Sequence, residues 1–304
     1  MRYLVCILFA FFLSTDLDAQ WEQCNGPYGG FIISIAASGN NIFAGTYGGG
    51  VFLSTDNGNT WIPKNNGLTE FYIETILISV NNIFVGTDNG VFLSTDNGDS
   101  WTVKGNEDIY STVMCLNKSG NNILAGTYQG GIYISTDNGD NWTDKNIGIT
   151  NLHITSIAVS GNNIIVGTEG KGIFMSTNNG DIWIPKNNGL QSLYIQSIVT
   201  FGNKIYAGII DGIYLTTDNG ESWTKKNNGL DNISVTSIAI SENNIYAGTL
   251  DSGIFLSTNN GDSWTVKNHG LTRLDVRALT INGKNIFDCT QCGIFLTTNN
   301  GDDW

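Results

Sequence analysis

The chain has 304 residues, 38 of them glycine and three proline, with 14 Lys and Arg against 27 Asp and Glu and a formal net charge of −13. A surface this acidic, with no basic stripe, repels a phosphate backbone and excludes nucleic acid as a partner. The longest apolar run, Tyr3 to Leu13, is far short of the roughly 20 residues that a membrane span needs.

That run follows Arg2 and precedes the polar stretch Ser14 to Ala19, which is the layout of a secretory signal peptide over residues 1–19. Cleavage is expected after Ala19, although Leu17 is larger than the small residue usual two positions before the cut residue. The mature chain, residues 20–304, is then secreted or periplasmic. Its four cysteines, Cys24, Cys115, Cys289 and Cys292, meet oxidising conditions. Cys289 and Cys292 form a C-T-Q-C run that reads as a redox pair, a hairpin disulfide or two unpaired thiols. Nothing helical lies beside it to lower a thiol pKa, and zinc needs more ligands than this region supplies.

From Ser54 onward one phrase recurs. STDNGNTW is followed by STDNGDSW, STDNGDNW, STNNGDIW, TTDNGESW, STNNGDSW and TTNNGDDW, closing on Trp61, Trp101, Trp142, Trp183, Trp223, Trp264 and Trp304, 40 or 41 residues apart. A fixed period of that length means one supersecondary unit per repeat. Residues 235–269 serve as the specimen: VTSIAIS, NNIYAGT, GIFLST and SWTVKN are four short β-branched or aromatic runs bounded by Gly, Asn and Asp. Seven such units predict an all-β, seven-bladed β-propeller with four-stranded blades, a monomer in one domain over residues 20–304. The last repeat stops at Trp304, where its outer strand would begin. Residues 21–26, WEQCNG, match WTVKNHG at 264–270 and are expected to supply that strand and close the ring.

Within each phrase Asn-Gly or its equivalent makes a tight turn, the Asp or Asn before it bonds local NH groups, and the tryptophan inserts between sheets. A calcium loop would need its charge. The position is Asp56, Asp96, Asp137 and Asp218 in four phrases but Asn178, Asn259 and Asn299 in three, so it requires an oxygen acceptor rather than an anion. No metal and no cofactor is expected.

These phrases resemble the Asp-boxes, S-x-D-x-G-x-[ST]-W, of the bacterial neuraminidase repeat family, over residues 21–304. Related repeats occur in sialidases, xyloglucan-cleaving glycoside hydrolases, sortilin-type receptors and photosystem II assembly-factor-like proteins. The resemblance implies a propeller whose boxes lie on the hairpin between third and fourth strands, away from the ligand face. It does not carry sialidase activity across, because only Arg273 and Arg277 remain after residue 19 to grip a substrate carboxylate bidentately. The arginine-rich patch of the assembly factors is also without counterpart. NGPYGGFIISIA to GTYGGG, residues 25–50, is similar to the opening blade of the xyloglucanases, but Tyr47 stands where that family carries an aspartate.

Function is expected where the repeats differ. The start of the innermost strand reads Phe31, Tyr72, Tyr110, His153, Tyr194, Ser234 and Asp275, and the turn after the second strand reads Tyr47, Asp88, Tyr128, Glu169, Ile210, Leu250 and Gln291. Both columns fall on the face opposite the boxes. Aromatic rings beside carboxylates and amides suit a glycan or a peptide, so the expected function is non-catalytic recognition of one of these. The alternative is glycoside hydrolysis with Asp88 and Glu169 as the acid and base, a pair that must stand roughly 5 to 10 Å apart. His153 and His269 have no nucleophilic serine to complete a triad.

Overall fold

The computed structural model describes Gly26, Pro27, residues 31–104, Ile109 and residues 111–291 and 293–304. The signal peptide, residues 21–25 of the proposed closing strand, Tyr110, Cys24 and Cys292 lie outside the described residues. No helix is present among the described residues, so none is long and apolar enough to cross a membrane.

Each repeat folds as an antiparallel sheet with its strands in sequence order, giving six four-stranded blades and, among the described residues, a three-stranded seventh. Blade 4 is representative, with strands Ile154–Ser160, Asn163–Thr168, Gly172–Ser176 and Ile184–Pro185. The second and third strands are buried on both faces and carry unbroken apolar runs, as sheets stacked face to face require. Seven apolar clusters fill the seven seams between neighbouring blades. The last joins Phe287, Cys289 and Ile294 of blade 7 to Ile32, Ile35 and Ile42 of blade 1 and so closes the ring. Blades approach closely at the Gly of the repeated Gly-Thr step. A Cβ on Gly167 would stand 2.4 Å from Ile195 Cγ2 of the next blade.

Outer strands are shorter than the sequence suggests. Where SWTVKN is expected to pair throughout, only Thr265–Val266 does. The cause is a side chain that takes over from the backbone: Lys267 N still donates to Ile254 O at 2.8 Å, but the Ile254 amide then goes to the Asn268 side-chain oxygen, also at 2.8 Å. Asn65, Asn146, Asn187 and Asn227 do the same in their blades. The chain is thereby turned towards the following blade: Asn228 O, just after Asn227, accepts the amide of Trp264 in blade 6 at 2.9 Å.

The outer strands also carry a repeated ion pair to the box of the next blade: Lys64 to Asp99, Lys104 to Asp140, Lys145 to Asp181, Lys186 to Glu221, Lys226 to Asp262 and Lys267 to Asp302. Blade 1 has Asn59 at the acidic position. The acidic partners are well exposed, so each pair contributes about 0.2–1 kcal/mol. A Lys145→Ala/Asp181→Ala double-mutant cycle, followed by urea unfolding, is expected to return a coupling in that range that fades with added salt.

Candidate functional site

Among the described residues the two sequence columns interleave along one row from Phe31 to Tyr194. In blade 1 Phe31 pairs with Tyr47, and Tyr47 then bridges to Tyr72 of blade 2. In blade 2 the pair Ile73–Thr87 sets Tyr72 opposite Asp88. Further round, Tyr128 N donates to Thr112 O at 2.9 Å, Glu169 N donates to His153 O at 3.2 Å, and Glu169 bridges to Tyr194 of blade 5. Antiparallel register explains the merger: the residue ending a second strand lies between the first residue of its own inner strand and that of the next blade.

The rings along this row touch in pairs. Tyr47 and Tyr72 meet edge to face with centroids 4.4 Å apart, and Tyr128 and His153 do likewise at 4.4 Å. The tyrosines remain open to solvent, with Tyr47 51%, Tyr72 38% and Tyr194 50% exposed, while His153 is half-buried. Towards blades 5 and 6 the row becomes aliphatic at Ile210 and Leu250, both exposed. A neighbouring column that the sequence reading missed, Phe71, Leu152, Leu193 and Leu274, adds exposed apolar side chains. Its carbonyls fix the mouth turns, for example Leu193 O accepting Gly170 N at 3.0 Å and Gly172 N at 2.9 Å. Its signal was there: each is a large apolar residue one position before the inner-strand column.

Charges at the mouth are partnered unevenly. His153 Nδ1 contacts the Glu169 carboxylate, and the Asn151 side chain donates to Glu169 O at 2.5 Å. Asp211, after Ile210, lies 3.0 Å from Lys225 Nζ and accepts the Tyr214 hydroxyl at 3.1 Å. Asp275 accepts the Gln291 amide at 3.2 Å, and Ser234 donates to Gln196 at 3.0 Å. Asp88 and Glu169, the proposed acid and base, belong to blades 2 and 4 and make no direct contact. Asp88 instead accepts the Thr112 hydroxyl at 3.3 Å and acts on Glu74, which the sequence reading passed over.

Glu74 sits in a β-bulge. Ile73 pairs with Thr87 and Thr75 with Gly86, so Glu74 is the extra residue, and it is half-buried. Burial, and then the charge of Asp88, raise its pKa above the ordinary carboxylate value. The same bulge in blades 1, 3, 4, 5 and 6 holds Ile33, Met114, Thr155, Gln196 and Thr236. Glu74 is the one acid of this set.

The boxes occupy the hairpins between third and fourth strands. Asn57 and Gly58 both take positive φ, 58° and 90°. Asp56 Oδ1 accepts Ser54 Oγ at 2.8 Å and Thr60 N at 2.9 Å. Asn178 does the same, accepting Ser176 Oγ at 2.8 Å and Ile182 N at 3.0 Å, and Asn259 and Asn299 repeat it. Side-chain hydrogen bonds pull Asp96, Asp137 and Asp218 down to about 2. Trp101, Trp183, Trp223, Trp264 and Trp304 each donate Nε1 to the backbone oxygen of the preceding blade's paired lysine, at 2.7–2.8 Å. Trp142 Nε1 donates to Gly139 O at 3.0 Å. Trp61, half-buried, has no Nε1 partner among the described residues. No group of three His, Cys, Asp or Glu that could hold a metal ion occurs among the described residues.

Blade 7 departs from the others where they read Ala-Gly or Val-Gly. Asp288 and Cys289 replace that pair, both fully buried. Neither Asp288 oxygen has a hydrogen-bond partner among the described residues, and burial, then Asp275, drive its pKa well up. Burial also raises the Cys289 thiol, the reverse of what a redox thiol needs. Cys115, likewise unpaired, is pushed up to about 12 by burial.

A profile of the DUF6242 β-propeller domain matches residues 149–279. No curated protein matches in sequence. The chain is similar to the GH74 xyloglucanase from Xanthomonas campestris, with a TM-score of 0.76 and 15% identity over 93% of this chain and only 54% of that one. It is similar to YCF48 from Cyanidioschyzon merolae, TM-score 0.71, 17% identity, over 91% and 98% of the two chains. YCF48 bound to D1 peptide gives a TM-score of 0.73, 17% identity, over 90% and 93%. The extracellular domain of a one-component system from B. thetaiotaomicron gives 0.73 and 20% identity, with this chain spanning 40% of its length. These identities establish shared architecture and no more, and with the sheet topology they make this chain a seven-bladed β-propeller.

Proposed function

We propose that this chain is an exported, non-catalytic binding propeller that grips a segment of a protein, or a glycan, across the mouth opposite the boxes. The observation that carries this reading is the solvent-open row Phe31–Tyr47–Tyr72, continued by Tyr128–His153–Glu169–Tyr194. Packing alone does not call for exposed rings at matching positions of blades 1, 2, 3 and 5, whereas a bound chain with an apolar face and polar edges does. Among structures of this fold, YCF48 has been seen with a peptide, which favours the protein segment. Hydrolysis by Asp88 and Glu169 is disfavoured because His153 already engages Glu169 and the two acids stand two blades apart.

A peptide and glycan array on the full chain, beside a Tyr72→Ala/Tyr128→Ala/Tyr194→Ala variant, tests the reading. The triple variant is expected to lose binding at least ten-fold, about 1.4 kcal/mol, while its urea midpoint barely moves, because exposed substitutions typically change stability by about 0.5 kcal/mol or less. Equal binding by parent and variant would remove the mouth from consideration. Release of reducing sugar, abolished by Asp88→Asn or Glu169→Gln, would instead establish the hydrolase.

A further inference from the structure

The mouth carboxylates divide into partnered and unpartnered. Glu169 has His153, Asp211 has Lys225, and Asp275 has the Gln291 amide. Among the described residues Asp88 has a neutral hydroxyl at 3.3 Å and no ion pair, Glu74 has no ion pair either, and the charge that acts on Glu74 is that of Asp88. Burial, and then the Asp88 charge, disfavour the ionised form of Glu74, and a cation beside it would relieve that.

Blade packing does not explain Glu74. At equivalent bulges the Thr155 and Thr236 hydroxyls donate to Ile195 O and Val276 O of the next blade, each at 2.7 Å. An ionised carboxylate cannot make that bond. Two residues before Glu74 stands Tyr72, opposite Asp88, and its ring meets that of Tyr47 with centroids 4.4 Å apart at 67°, both rings exposed. Tyrosine faces attract a cation placed within about 6 Å. The chain's formal net charge of −13 favours the approach of such a partner.

We infer that the mouth over blades 1 and 2 seats a basic side chain, a lysine or arginine of a protein segment, with Tyr47 and Tyr72 against the cation and Asp88 and Glu74 as its counter-charges. This rests on the mouth being the binding surface and narrows its partner to a cationic polypeptide. A polypeptide fits better than a free amine because the exposed row runs on through Tyr128 to Tyr194, giving flanking residues further contacts.

The test is an array of heptapeptides whose central residue is arginine, lysine, citrulline or norleucine, with identical flanks. It is read with the full chain, with Glu74→Gln/Asp88→Asn, with Tyr47→Ala/Tyr72→Ala, and with Asp181→Asn/Asp302→Asn, which removes the same charge from the box face. Arginine and lysine peptides are expected to bind about ten-fold above their neutral twins. That preference is expected to vanish in the first two variants and survive in the third. Equal binding of neutral twins, persistence of the preference in Glu74→Gln/Asp88→Asn, or its loss in the box-face variant would overturn the inference. Glycans bound in place of peptides, and lost with the tyrosine triple variant, would overturn it and leave the mouth reading standing. An absence of any mouth-dependent binding would remove both.

Discussion

Trp183→Ala is expected to destabilise the chain by about 3–5 kcal/mol, the range for truncating a large buried aromatic. Its indole is 2% exposed and packs with Leu124, Ile132 and Ile134 of blade 3 and with Phe174 of its own blade. Truncation opens a cavity at a seam where the neighbouring strands are held by their own ladders and cannot collapse. It also orphans the Lys145 carbonyl, which accepts Nε1 at 2.8 Å. Trp183→Phe separates the two losses, keeping most of the packing while forfeiting the hydrogen bond, at about 1–3 kcal/mol for the group left unsatisfied. Trp61→Ala is the internal control. With its ring only half-buried and no Nε1 partner among the described residues, it is expected to cost clearly less. Equal losses at Trp61 and Trp183 in urea unfolding would show that the box tryptophans act locally, not as links between blades.

Asp288→Ala is expected to do the opposite and stabilise the chain at neutral pH by about 1–3 kcal/mol, the penalty of a buried polar group left without partners. Alanine already fills the equivalent site as Ala44, Ala125, Ala207 and Ala247, all fully buried, so the replacement leaves no foreign shape at the seam. The gain should depend on pH in a defined sense. Burial raises the folded-state pKa of Asp288 above its unfolded value of about 3.9. Between those two values the folded chain holds a proton that the unfolded chain has released, so stability falls as pH rises through that window and then levels off. The alanine variant lacks this component. Its advantage is therefore expected to be small near pH 3, to widen as pH rises above about 4, and to become constant above the folded pKa. A difference between parent and variant that stays flat across this range would mean that Asp288 is not buried without a partner. Asp288→Asn removes the titration but not the burial of a polar group, and is expected to flatten the pH dependence with little gain in stability.

Much of the architecture was legible because its causes are local. The 40- or 41-residue spacing of the tryptophans, the β-branched runs and the Asn-Gly turns are properties of short stretches, each of which dictates its own conformation. The interchange of Asp56 with Asn178 likewise pointed to an oxygen acceptor before the hydrogen bonds were seen, because the turn needs only a lone pair there. What was misjudged locally, the outer strand, failed because Asn268 competes with the backbone for the Ile254 amide, and composition does not say which acceptor wins.

The candidate site was legible as a set of residues but not as an arrangement. Tyr47 and Tyr72 are 25 positions apart and belong to different blades, and only the bridge between those blades brings their rings together. His153 and Glu169 stand opposite each other because Ile154 pairs with Thr168. Glu74 reads as an ordinary strand residue until the bulge leaves it unpaired in the ladder and within reach of the Asp88 charge. Asp288, which the sequence reading passed over, stands where other repeats carry alanine or valine, and its isolation shows only in the fold. The sequence by itself determined the period, the strands and the turns, since these follow from neighbours along the chain. Only the tertiary structure decided which carboxylates are partnered and which rings meet, since those depend on register across seams whose partners lie far apart in the chain.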